Sequence, residues 1–347
     1  MKRFKSTVMA GFALALTVVS ALSALPVSAQ SSASLGVEPK KNYVIEPGKS
    51  VKDKTTIRNL DAQHSLTLNL RLVDFTYTND TGTPKLMLDE NAPQTTWSLK
   101  PYLTVPKTVE IPASSSKTID INVAMPSNLG AGSYYSAILY STGAADGGNV
   151  GLSASGVTLV FAQVPGKVNE NLDVKNFGAY FDANAKEAAH YSWFTMDMPQ
   201  KLAYTLENKG NVTEAPIGSI TLTNAFGYKN TINNVNPNQS LALIGQTRTF
   251  TACVKQKDQD VNLGGSASKS VVCVNPGLWP GLYNAKLDVF YGQNGNTTQE
   301  IVKNASFLYM PAWALLVLIV LLIVIVLAVL RLMTLFRRKF GKTATRK

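Results

Sequence analysis

The chain has 347 residues, with 33 Lys and Arg against 22 Asp and Glu, a formal net charge of +11, and only two Cys and two His. Ten of the basic residues stand near the two ends, at Lys2, Arg3 and Lys5 and at seven positions from Arg331 onward, so 33 less 10 leaves 23 against all 22 acids between them. That central part is nearly neutral, which assigns the basic balance to targeting and membrane orientation and excludes a nucleic-acid-binding surface.

Lys2, Arg3 and Lys5 precede an apolar stretch from Val8 to Leu25, and Val27-Ser28-Ala29 offers a small-x-small cleavage pattern before Gln30. Residues 1–29 therefore read as a secretory signal peptide, and with no Cys beside the cleavage point a lipoprotein anchor is not indicated. From Gln30 to about Met310 the sequence is rich in Thr, Ser, Asn, Val and Gly, and turn signals recur along it. Leu66, Leu68, Leu70 and Leu72 alternate with Thr67, Asn69 and Arg71, Ile119 to Met125 repeats the pattern, and so does Tyr283 to Tyr291. A two-residue period of this kind is a strand with one buried face. The expected fold class is all-β, two tandem immunoglobulin-like β-sandwich domains at 30–165 and 166–308, meeting near Pro165-Gly166 and a polar connection from Val168 to Leu172. Gly143 to Gly151 reads as a hairpin tip, and Asp182 to Met198 as a loop or short helix.

The two halves echo each other. Thr56-Ile57-Arg58-Asn59 is matched by Thr205-Leu206-Glu207-Asn208, and Leu129-x-x-Gly132-x-Tyr134 by Leu278-x-x-Gly281-x-Tyr283, both at an offset of 149. A Gly just before a strand-initial Tyr is the pattern of a tyrosine corner, expected at Tyr134 and Tyr283.

After the second domain, Ala312 to Leu330 carries no charge. A hydrocarbon core about 30 Å thick needs roughly 20 such residues in a helix. The expected transmembrane helix is 311–333, with Tyr309 and Trp313 at the outer headgroup level and a basic tail, 334–347, in the cytoplasm. Phe307 and Tyr309 follow so closely on the last strand that almost no stalk is expected, which sets domain two against the outer leaflet and domain one toward the wall.

Cys253 and Cys273 lie in strand-like segments of exported sequence, separated by turn signals at Asp258-Gln259-Asp260 and Gly264-Gly265. A disulfide is expected there, closing a loop of 21 residues, a closure that stabilises by roughly 3 kcal/mol on the chain-entropy model. Metal binding and a free thiol nucleophile fit less well, because the pair lacks further ligands at suitable spacing.

The search for an enzyme finds little. His64 and His190 stand beside no nucleophile signature, and Ser266-Ala267-Ser268-Lys269 lacks both a helix and the companion motifs of penicillin-recognising enzymes. Gly130-Ala131-Gly132 precedes a strand instead of a helix N-terminus. Neither catalytic residues nor cofactors are expected. The preferred contact candidates are Tyr191, Trp193 and Phe194, an aromatic cluster in the irregular segment.

Glu46-Pro47-Gly48, Ile57-Arg58-Asn59, Asp74-Phe75, Trp97, Ile111-Pro112-Ala113 with Ser116, Pro126, and Gly130 to Ile138 (Gly-Ala-Gly-Ser-Tyr-Tyr-Ser-Ala-Ile) form an ordered series. It resembles the peptidoglycan-binding domain of WxL-interacting proteins of bacterial surfaces over about residues 36–162. Asn208-Lys209-Gly210-Asn211, Pro216-x-Gly218-x-Ile220 and Phe226-Gly227 are a fainter echo of the second domain of those proteins, and the cysteine pair is outside the pattern. The resemblance implies a first domain that contacts peptidoglycan and a second that contacts a protein partner or host surface. Trp97-Ser98-Leu99, though literally a W-x-L string, reads as strand core. The expected function is a membrane-anchored, non-enzymatic surface protein that binds peptidoglycan, a surface protein partner, or both. The alternative is a membrane-held assembly or chaperone subunit that grips exported proteins by an exposed sheet edge.

Overall fold

The computed structural model describes residues 35–78, 82–89, 94–142, 155–263, 266–292 and 298–340. The expected signal peptide at 1–29, the expected hairpin tip at 143–151 and residues 341–347 of the expected tail lie outside these residues. Among the described residues the architecture is all-β with one C-terminal apolar helix.

The first half holds ten strands: β1 (Leu35–Gly36), β2 (Lys40–Val44), β3 (Ser50–Asn59), β4 (Leu66–Tyr77), β5 (Pro84–Met87), β6 (Leu103–Thr104), β7 (Thr108–Ile111), β8 (Ser116–Ala124), β9 (Gly132–Ser141) and β10 (Ser155–Val164). They form one sheet in the order β1-β3-β8-β6 and another in the order β2-β10-β9-β4-β5, with β7 also paired to β4. The second half holds β11 (Leu172–Phe181), β12 (His190–Ser192), β13 (Phe194–Thr195), β14 (Lys201–Asn208), β15 (Ile217–Asn224), β16 (Lys229–Asn233), β17 (Thr247–Cys253), β18 (Gln256–Leu263), β19 (Ser266–Cys273), β20 (Gly281–Tyr291) and β21 (Gln299–Tyr309). Its sheets run β12-β11-β14-β17 and β13-β21-β20-β15-β16, and β18 and β19 pair only with each other.

The second sheets of the two halves share one plan. Each begins with a short strand running parallel to the domain's last strand, β2 on β10 and β13 on β21, while every other pairing in the two sheets is antiparallel. The offset of 149 in the sequence thus falls on equivalent strands, with Asn59 ending β3 as Asn208 ends β14, and Tyr134 in β9 matching Tyr283 in β20.

Alternation is clean where one face is wet. In β20, Tyr283, Ala285, Leu287, Val289 and Tyr291 are buried and join the domain-two core with Leu202, Tyr204, Leu206, Phe250 and Phe307. In β9 the alternation divides between two cores. Ile138 and Tyr140 face the core of domain one, while Tyr135, Ala137 and Leu139 face a second cluster with Val73, Phe75, Phe161 and, from domain two, Leu243. A strand covered on both faces reads as a continuous apolar run because neither face meets water.

Two expectations are corrected. The stretch from Asp182 to Met198 contains two short strands, β12 and β13, in place of a loop or helix; runs of two and three residues are too short to show a period. Asp258 to Asp260, read as a turn, lies inside β18, and the connection falls at 264–265, outside the described residues. Lys257 to Asp260 are exposed on this projecting hairpin, so no apolar alternation marks it. The polar connection from Val168 to Leu172 is packed against the protein, with Val168, Glu170 and Leu172 buried.

The helix α1 (Ala312–Phe340) follows Pro311, whose carbonyl accepts the N–H groups of Ala314 and Leu315. Proline suits this place because the first turn needs no N–H from it. The most apolar 18-residue window within Ala312–Phe336 has a mean hydropathy of 3.5, none of that window is buried against the protein, and by length and composition the helix can cross a membrane. The helix continues past the expected end at 333, since Arg337, Arg338 and Lys339 are good helix formers and nothing breaks it before Gly341.

Candidate functional site

Cys253 and Cys273 are joined in a disulfide that pins the base of the β18–β19 hairpin. The Tyr134 hydroxyl donates to the Gly130 carbonyl at 3.0 Å and the Tyr283 hydroxyl to the Trp279 carbonyl at 2.8 Å, each four residues back.

The strand-ending asparagines have matching roles. Asn59 donates its amide to the carbonyls of His64 and Ile111 and accepts the Asp61 N–H, and Asn208 donates to Val212 and Ala242 and accepts the Gly210 N–H. Both are buried, so truncation strands several backbone groups at once. Asn208→Ala should lower the unfolding free energy by about 2 kcal/mol in a urea melt; a shift within error would show that water replaces the amide.

In domain one, Asp74 of β4 and Ser136 of β9 meet at a buried carboxylate. Asp74 accepts hydrogen bonds from Ser98 Oγ at 2.7 Å and Ser136 Oγ at 3.0 Å, and Lys100 Nζ stands 3.7 Å away. Ser136 Oγ in turn accepts the Leu99 N–H at 3.0 Å. This network seats the Trp97-Ser98-Leu99 segment on β9, with Trp97 stacked on Tyr135 at 6.0 Å between ring centres. On the opposite face of β4, Phe75 lies 5.3 Å from Tyr135 and 5.7 Å from Phe161. Domain two closes over this aromatic layer: Arg248 lies 4.8 Å from the Tyr77 ring and 5.2 Å from Phe250, and its guanidinium donates to the Leu241 carbonyl. Burial lowers the Arg248 pKa. Ser133 N–H donates to the Asn211 carbonyl and Thr213 N–H to Ser133 Oγ, both at 3.0 Å.

Of the aromatic contact candidates, only Trp193 is open, at 76% exposure. Tyr191 is half-buried, its hydroxyl bonded to Thr205 Oγ1 and its ring packed on Tyr180. Phe194 is half-buried in β13 beside Leu308. The register of β13 on β21, the Leu308 N–H to Trp193 carbonyl bond and the pairing of Tyr191 with Tyr180 near the end of β11 place all three at the end of domain two from which α1 leaves.

A site that the sequence reading passed over lies where the domains meet. β2 is the terminal strand of its sheet. A parallel ladder uses both backbone groups of every second residue, and the Leu159 N–H to Pro39 carbonyl and Ile45 N–H to Gln163 carbonyl bonds fix the phase. The N–H and C=O groups of Lys40, Asn42 and Val44 therefore point away from β10. Beside them opens a cleft of about 460 Å³ between Lys40, Asn42, Val44 and Phe161 on one side and Thr213, Glu214 and Leu241 on the other. Val44 is 73% exposed on its rim. Lys40 Nζ sits 4.8 Å over the Phe161 ring without an ion pair among the described residues, and partial burial lowers its pKa. Glu214 is turned away, its carboxylate accepting the Gly292 N–H at 3.3 Å. Lys41 and Tyr43 point to the other face, where both reach Asp53. Burial pushes the Asp53 carboxyl up, but the Lys54 N–H, the Tyr43 hydroxyl and the Lys41 ammonium outweigh it and hold the pKa below its ordinary value. These contacts fasten β2 by its other face, and among the described residues no strand pairs with its outer edge.

Among the described residues, no three His, Cys, Asp or Glu side chains gather in a way that could hold a metal. No family model matches the sequence, and no curated protein matches it. Among solved structures, the class 5 fimbriae chaperone CfaA is similar at 12% identity over 80% of this chain and 100% of its own, with a TM-score of 0.35. The E. coli chaperone DraB is similar at 14% identity over 78% and 96%, with a TM-score of 0.30, and the Pseudomonas aeruginosa CupB2 chaperone at 8% over 79% and 100%, with a TM-score of 0.29. Likenesses of this size do not bear on function. The signal for the free edge was present in Lys40 to Val44, a short β-prone run between Pro39 and the Glu46-Pro47-Gly48 turn that carries the lysines typical of a guarded edge.

Proposed function

We propose that the protein is a membrane-anchored, non-enzymatic surface protein that holds an extended segment of another exported protein along β2. The observation that carries this reading is the outer edge of β2, unpaired among the described residues and beside an interdomain cleft. Added strands gain affinity from main-chain hydrogen bonds and specificity from pockets for alternate side chains. The desolvated Lys40 ammonium suits a carboxylate of the incoming segment, and Phe161 and Leu241 suit an apolar side chain next to it. α1 would anchor the chain, with the basic residues after Arg331 on the cytoplasmic side. The resemblance to WxL-interacting proteins supports a place on a bacterial surface. Peptidoglycan binding by domain one draws on that resemblance alone: its exposed large hydrophobics among the described residues are Val44, Leu60 and Leu88, so it offers no open aromatic ring for a sugar to stack on.

The test is photo-crosslinking from a benzophenone amino acid at position 44 of the full chain on intact cells, with and without Asn42→Pro. Proline is tolerated on an edge where its missing N–H faces outward. The expected result is a crosslink to an exported protein that falls at least about tenfold in the proline variant, equivalent to about 1.4 kcal/mol of binding, with an unchanged melting temperature. Crosslinking to wall glycan alone would select the peptidoglycan reading instead.

A further inference from the structure

The end of domain two from which α1 leaves is ringed by exposed aromatic side chains. Phe226 is 82% exposed, Trp279 75% and Trp193 76%, with Leu282 and Met196 also open. Strand register puts them at one level. Gly281 in β20 pairs with Tyr309 at the end of β21, Asn224 pairs with Tyr283, and Thr195 pairs with Tyr309. The turn at Phe226, the loop at Trp279 and the strand after Trp193 therefore all reach the height of Pro311.

Two of these side chains stand on fixed backbone. Asn224 Oδ1 accepts the N–H groups of Phe226 and Tyr228, both at 2.9 Å, and Gly227 takes a left-handed φ of 84°, so the turn is built to hold Phe226 at its tip. The Trp279 carbonyl is held by the Tyr283 hydroxyl. Between this end and the helix runs a groove of about 910 Å³, lined by Phe226, Tyr228 and Trp279 on one wall and Trp313, Val317 and Leu321 on the other. Trp313 and Leu321 are eight positions apart, about 12 Å of helix, so the groove continues from the ring of aromatics down the apolar span. No charged side chain lines it, and Lys229 is exposed near its mouth.

The geometry points to a lipid site: domain two rests its Phe226 and Trp279 tips in the headgroup layer of the outer leaflet, and the groove takes the acyl chain of a bilayer lipid against α1. The inference rests on the membrane-anchored reading above. A lipid is the occupant because one wall of the groove is the apolar span itself, and because Trp and Tyr at its mouth favour the boundary between hydrocarbon and headgroups.

The test uses the full chain in vesicles of phosphatidylcholine and phosphatidylglycerol carrying lipids brominated either near the headgroup or deep in the chain. Tryptophan emission is compared among the unaltered protein and the Trp97→Phe, Trp279→Phe and Trp313→Phe variants, so that each difference reports one indole. Trp97 lies at the domain interface and serves as the unquenched reference. The expected result is that Trp279 emission is quenched at least about twofold more by the shallow bromines than Trp97 emission, as for an indole in the headgroup layer. Phe226→Trp, placed in the Trp279→Phe chain, should be quenched to a similar degree. If Trp313 is quenched while positions 279 and 226 match Trp97, the lipid site is overturned and the anchor stands. If Trp313 also escapes quenching and alkaline carbonate strips the chain from the vesicles, the anchor and the lipid site fall together.

Discussion

Asp74→Ala should lower the unfolding free energy of domain one by about 3 kcal/mol. The carboxylate is buried, it accepts hydroxyl bonds from Ser98 and Ser136, and Lys100 approaches it from the edge of the site. Hydrogen bonds to a charged acceptor contribute roughly 1.5–3 kcal/mol each, and removing the acceptor leaves both hydroxyls buried without it. The ion pair adds little, because the Lys100 side chain keeps about a third of its exposure. Asp74→Asn keeps an oxygen at nearly the same place and should lose about 1 kcal/mol. Urea unfolding followed by circular dichroism on both variants is the measurement. Equal losses would mean that shape, and not the acceptor charge, holds the Trp97-Ser98-Leu99 segment to β9.

Phe75→Ala, one residue along the same strand, should cost about 4 kcal/mol and have a different signature. Phe75 is fully buried and touches the rings of Tyr77, Tyr135 and Phe161 in the layer that domain two covers. Removing it leaves a void at the base of the interdomain contact, and the loss should appear first there. The Tyr77 N–H, which donates to Gln246 across the interface, and the Thr213 N–H, which donates to Ser133, should lose hydrogen-exchange protection. Amides along β3 and β8 should keep theirs. Protection that falls equally in β3 and β8 would show that the layer belongs to the fold of domain one and does not join the domains.

These two neighbours also show what could be read in the sequence. Alternation exposes a sheet with one wet face, so Leu66 to Leu72, Ile119 to Met125 and Tyr283 to Tyr291 were legible as strands, and the uncharged run from Ala312 as a membrane-length helix. The offset of 149 marked equivalent strands because turn-forming Asn and Gly-x-Tyr serve the same local geometry in each half. What alternation cannot separate is burial under a second sheet from burial under another domain, so nothing in the sequence divides Phe75, Tyr135 and Phe161 from Ile138 and Tyr140, which lie in a different cluster. Short edge strands were lost for a related reason: β2 spans five residues and β13 two, and their partners lie more than a hundred residues away in sequence. The aromatic cluster at Tyr191 to Phe194 was visible as composition, but its direction depends on the pairing of β13 with β21, which no local pattern carries.

On the membrane-anchored reading proposed above, the parallel first strand of each second sheet has a consequence for export. Lys40 pairs with Leu159 and Phe194 with Leu308, separations of 119 and 114 residues. Contacts so distant in sequence form late, because the intervening chain must be ordered first. A chain emerging from its N-terminus cannot place β2 until β10 has crossed, and cannot finish domain two until β21 has. Since α1 begins three residues after β21 ends, the last sheet of the ectodomain should close at about the moment the anchor enters the bilayer. On that reading, release from the translocation machinery and completion of the fold would be one event, with domain one already formed.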